Sequence, residues 1–129
     1  MKPNVKANNV VMVPAKLNGR FFNYWFEFLK PFHGLSKKEI IVISAFVKRR
    51  YELSKVIKDD DILDSVVFNS ESKAMVVKEC GIKYSHLKVI LSQLRKRGII
   101  VDGKINRKFI PNIREGDDSF QLLIYFDMS

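Results

Sequence analysis

Among its 129 residues the sequence holds one cysteine, two histidines, six glycines and four prolines. A single thiol, Cys80, cannot close an internal disulfide. With no His/Cys cluster beside it, a disulfide scaffold and a structural zinc site are both excluded. The scarcity of glycine and proline, together with 47% hydrophobic and 29% charged residues, excludes a low-complexity or disordered chain. Long apolar runs are also missing. The longest aliphatic stretches, residues 10–13 and 40–43, are far too short to cross a bilayer or to form the apolar part of a secretory signal. The expectation is a single soluble domain of the reducing cytoplasm, without membrane association, metal or cofactor. No Gly-rich phosphate loop, His-Glu-x-x-His pair, serine-centred elbow or separated Cys/His pair occurs, so catalysis is not expected.

Acidic residues are scarce too. Fourteen Asp and Glu face twenty-three Lys and Arg, a net charge of +9 that attracts polyanions whatever the fold. The excess is uneven along the chain. Residues 35–58 carry +5 and residues 80–110 carry +7, whereas residues 59–79 carry −4 and residues 111–129 carry −3. The segment 80–110 is therefore the candidate anion-facing element.

Residues 1–19, with Pro3, Pro14 and Gly19, read as an extended arm with one candidate edge strand at residues 10–13. Residues 20–34 form an aromatic element: Phe21, Phe22, Trp25, Phe26 and Phe28 make a helix apolar on nearly every side until Pro31 stops it. Such a helix needs cover all round. Either part of it is the interface of a homodimer or protein partner, or it is buried within one chain.

Residues 35–129 form the main domain. Ser36 and Glu39 have the spacing of a capping box, and Ile40, Ile43, Phe46, Val47 and Tyr51 then give one apolar helical face, with an end between Leu53 and Lys58. Asp59, Asp60, Asp61 and Asp64 lack the glycine and the alternating spacing of a hard-metal loop and read as the start of a short helical turn or an exposed loop. Val66, Val67 and Phe68 read as a short strand. A helix capped by Ser70 or Ser72 should stop at Gly81 in a left-handed conformation. The next helix, capped by Ser85, carries Leu87, Ile90, Leu91 and Leu94 at i, i+3, i+4 and i+7, and Gly98 ends it. Asp102-Gly103 marks a tight hairpin between a strand at residues 99–101 and one returning to about Ile110. Phe120, Leu122, Ile124 and Phe126 alternate as a last strand.

This order, with Gly81-Ile82, then Leu87, Leu91 and Leu94, then Gly98-Ile99-Ile100, resembles the winged helix-turn-helix family of DNA-binding domains over roughly residues 35–126. The junction of residues 94–100 is more faintly similar to plasmid and phage replication or regulatory proteins. The resemblance implies an α+β fold, a three-helix core plus a small antiparallel sheet, here with an extra aromatic helix. It also implies a recognition helix at residues 85–97 in the major groove and a hairpin wing on the backbone. Carried onto this chain, Ser85, His86, Lys88, Val89, Ser92 and Gln93 would lie near bases. Lys83, Tyr84, Lys96 and Arg97 would hold phosphate, and Lys104, Arg107 and Lys108 would charge the wing. The wing tip is either Asp102-Gly103 or the acidic loop of residues 114–119. The implied function is that of a double-stranded DNA-binding protein, a transcriptional regulator or replication accessory factor acting as a dimer. The alternative is a winged-helix protein–protein module, for instance a structural subunit of a phage or viral assembly.

Overall fold

The longest helix is the one announced by the capping box. In the computed structural model, which describes residues 7–129, Ser36 Oγ accepts from the Glu39 N–H (3.3 Å) while the Glu39 carboxylate accepts from the Ser36 N–H (2.8 Å). Two orphan donors are thereby satisfied where the chain enters the helix. Numbering helices in chain order, α1 is Phe21–Phe28, α2 is the single turn Lys30–His33, and this central helix, Lys37–Ser54, is α3. Then come α4 (Asp60–Val66), α5 (Ser70–Cys80) and α6 (Tyr84–Lys96). Strands β1 (Ile100–Val101) and β2 (Lys104–Ile105) pair antiparallel, and a 3-10 turn, Arg107–Phe109, follows. Among the described residues these two strands are the whole sheet, so the molecule is mostly helical with one small hairpin.

Helix α3 is the hub, with α1, α4, α5 and α6 all packed against it. Phe22, Phe26, Leu35, Ile43, Phe46, Val47, Leu87, Leu94 and Ile99 join in one core with almost no exposed surface. The aromatic helix shares that core, because Phe22, Trp25 and Phe26 are buried within the chain itself. Trp25 Nε1 donates to the Phe109 carbonyl (2.9 Å), and Ser44 Oγ donates to the Phe22 carbonyl (3.2 Å), pinning α1 to both the 3-10 turn and α3. Of the five aromatics assigned to a partner surface, three are therefore unavailable for one; Phe21 is half-buried and Phe28 alone is open.

Several expected elements are corrected. Residues 66–68 are not a strand: Asp59 caps α4 by accepting from the Ile62 N–H (3.0 Å), and Leu63 and Val67 turn inward at helical spacing. Phe68 then closes on Phe46, ring centroids 4.7 Å apart. The local β preference lost to a cap and a packing partner that are not adjacent in sequence. Neither Ser70 nor Ser72 caps α5; Asn69 does, accepting from the Ser72 N–H (2.8 Å). Ser72 is buried instead, donating to the Val66 carbonyl (3.1 Å) and accepting from Arg49 Nε (3.2 Å). The returning hairpin strand is cut to two residues because Asn106 caps the 3-10 turn, accepting from the Lys108 N–H (3.1 Å) and donating to the Gly98 carbonyl (3.0 Å). Residues 10–13 and 120–126 are not strands. Phe120 is the last residue of its segment against the core, edge-on to Phe21 and Trp25, and the chain beyond it is exposed.

The expected punctuation around the fifth and sixth helices is present. Gly81 ends α5 at φ +64°, and Asp102 and Gly103 both take positive φ (54° and 76°), as a primed two-residue turn requires. No helix among the described residues is long and apolar enough to cross a membrane.

Candidate functional site

Helix α6 is held by one side. Leu87, Ile90, Leu91 and Leu94 are buried against α3, and β1 packs on the same helix. The N-cap is Lys83, two residues before the expected Ser85, so Ser85 lies in the first turn rather than capping it. No side chain caps the start, which leaves its first N–H groups without a side-chain acceptor, an arrangement that favours anions.

The outer face is open. Ser85, Lys88, Val89, Gln93 and Lys96 are exposed and His86 and Ser92 half-exposed, on a helix with no carboxylate from Tyr84 to Lys96. Lys88 reaches back over the exposed Tyr84 ring (Nζ to centroid 5.5 Å), a cation–π contact between positions four apart. At the far end Arg97 donates from Nη1 to the Gly34 carbonyl (3.1 Å), which ties the helix exit to the loop before α3. On the hairpin Lys104 is exposed, and Lys108 lies over the Phe109 ring at 5.7 Å.

Among the described residues, no ion pair involves α6 or the β1–β2 hairpin. Three of the five cations of α3 are taken, Lys48 by Glu79 (2.9 Å), Arg49 by Glu71 (4.0 Å) and Arg50 by Asp64 (3.1 Å), while Lys37 and Lys38 in its first turn are in no ion pair among these residues. In space, the acidic segment 59–79 thus lies against the basic segment before it. By contrast, among the described residues Lys83, Lys88, Lys96, Arg97 and Lys104 have no carboxylate within 4.0 Å, and neither does Arg95, a cation that helical-wheel reasoning left off the face. The run Arg95-Lys96-Arg97 was the available signal for it.

Arg107 is corrected. Its guanidinium lies 3.5 Å from Asp60 and 3.2 Å from Asp64, so it serves the α4 carboxylates and is not a free wing cation. Asp64, grouped in the sequence with Asp59, Asp60 and Asp61 as the start of a short helical turn or an exposed loop, is buried. Its carboxylate, 6% exposed, accepts from Arg50 through Oδ1 and from Arg107 through Oδ2, joining α3, α4 and the turn after the hairpin. Only the tertiary arrangement of three separated segments makes it visible.

Two titratable groups near this architecture are shifted. Burial holds the His33 imidazole below its ordinary value; its Nδ1 accepts from the Leu35 N–H (2.9 Å), so Nε2 carries the proton given to the Phe26 carbonyl (2.7 Å). Burial, with Glu79 beside it, pushes the Cys80 thiol up and away from the reactive thiolate. No protein-family model, curated protein or solved structure matches the chain.

Proposed function

We propose that the chain is a double-stranded DNA-binding protein of winged helix-turn-helix type, a transcriptional regulator or replication accessory factor. In this reading α5 and α6 are the two helices of the motif, α6 enters the major groove, and the β1–β2 hairpin is the wing. The observation that carries it is the unpaired cationic face: α6 and the hairpin keep their lysines free of carboxylates, while acids of α4 and α5 pair Lys48, Arg49 and Arg50 of α3. An unpaired row of lysines on a rigid helix offers phosphates the counterion exchange that drives duplex binding. Lys83, Lys96, Arg97, Lys104 and Lys108 anchor phosphate in this scheme, with Tyr84 beside them. Ser85, His86, Lys88, Ser92 and Gln93 offer hydrogen bonds to base edges, and Val89 meets a thymine methyl.

The test is a gel-shift titration on random duplex DNA at several salt concentrations. Neutralising five phosphates gives a slope of log affinity against log salt of about −4.5. A flat response, or no shift at low salt, rejects the reading. The second reading, a protein–protein module, is favoured by two exposed apolar side chains on the same region, Val89 at 55% and Val101 at 45%. It is the better account if DNA is not shifted while a partner complex survives high salt.

A further inference from the structure

The largest uncovered apolar surface lies on neither α1 nor α6 but on the two segments that flank the helical body. Residues 10–13 are Val, Val, Met and Val, three of them at least 84% exposed. Residues 122–126 are Leu, Leu, Ile, Tyr and Phe, between 40% and 77% exposed, and Met128 follows at 92%. Such runs of β-branched and aromatic residues are strand formers without a ladder, since neither pairs as a strand with anything among the described residues. Each is anchored to the common core where it meets the body: Leu17 and Phe120 are partly buried on it, and Phe120 lies against Phe21 and Trp25 of α1.

We propose that these two segments pair across a second copy of the chain, the arm before α1 of one protomer against the tail after Phe120 of the other, reciprocally. Charge favours the pairing. Residues 1–20 hold four Lys and Arg and no acid, whereas residues 115–129 hold four Asp and Glu and no base, so arm against arm or tail against tail repels and arm against tail attracts. Strand number favours two copies over one. One chain supplies two strands, and an isolated two-stranded ribbon is marginal in water; two chains supply four, enough for a sheet with its own apolar face. The area suffices as well. At the exposures above, the two segments uncover on the order of 1,000 Å² of apolar surface per chain, against the ~800 Å² per partner of a standard interface.

The test needs no DNA, so its outcome is independent of the function proposed above. Light scattering after gel filtration of the whole chain at micromolar concentration is expected to give about twice the 15.0 kDa chain mass. Leu123→Asp with Tyr125→Asp should return the mass to that of one chain. The helical circular dichroism and the unfolding temperature of the body should be unchanged, because both side chains are exposed in the single chain. In a Cys80→Ser background, chains carrying Val11→Cys and chains carrying Leu123→Cys, mixed and treated with a short bis-maleimide, should link as a pair. A strict monomer overturns the proposal. So does a dimer that persists in the Leu123/Tyr125 variant, or a chain bearing both cysteines that links only within itself.

Discussion

Asp64 illustrates how much one buried carboxylate can decide. Arg50 is 8% exposed, its Nε is on Asp64, and its Nη2 is buried without any partner, so the carboxylate is its sole counter-charge. Asp64→Ala would leave that guanidinium uncompensated in the interior, and the expected loss is about 3–5 kcal/mol, read as a lower urea midpoint. Arg50→Met combined with Asp64→Leu removes both charges and should recover most of the stability, since the desolvation cost disappears with them. His33 makes a different prediction. Because burial holds its folded-state value below 6.5, the unfolded chain binds the proton first as pH falls. Its contribution is complete above pH 6.5 and is lost on going down through the folded-state value, at no more than about 1.4 kcal/mol per pH unit. Unfolding midpoints measured between roughly pH 5 and 7 should show this slope in the natural chain and a flatter profile in His33→Gln.

At the scale of elements, the helices whose ends carry their own signals and the Asp102-Gly103 hairpin were legible, and the strands expected elsewhere were not. The Ser36–Glu39 box, the left-handed Gly81, the leucine stripe of α6 and the Asp102-Gly103 turn each act over a few residues, and each is present where its spacing places it. Strand formation needs a partner elsewhere in the chain. Residues 66–68 found a helix cap and Phe46 instead, and residues 120–126 found Phe21 and Trp25 at one end and nothing beyond. Ser36→Ala tests the local side of this division. Removing the hydroxyl leaves the Glu39 N–H without its acceptor, for a cost of about 1 kcal/mol, measured by denaturant unfolding with no change in the m-value.

For the whole molecule, the useful quantity is which charges are left over after folding rather than the total of +9. Lys96 has no carboxylate near it and Lys48 lies 2.9 Å from Glu79. Under the proposed function Lys96→Ala should weaken every duplex alike and lower the salt slope by about one unit, as expected for one lost phosphate contact. Lys48→Ala should leave both unchanged, and Ser85→Ala should alter the ranking of duplexes instead, all measured by fluorescence anisotropy. Equal effects of the Lys48 and Lys96 variants would mean that binding follows net charge and not the α6 face.

What the sequence determined by itself is the set of features whose cause is local. These are the cap, the left-handed glycine, the leucine period, the primed turn, and a basic stretch at residues 80–110 with a single acid in it. What the tertiary structure decided is everything that depends on two distant segments meeting. It buries Phe22, Trp25 and Phe26 under the chain's own residues, commits Arg107 to Asp60 and Asp64, pairs Lys48, Arg49 and Arg50 of α3 with acids of α4 and α5, and leaves Lys88, Arg95 and Lys96 of α6 exposed. Hydrogen bonds within a turn act over neighbouring residues and can be read in order along the chain. Burial and ion pairing depend on distance in space, which the order of residues does not contain.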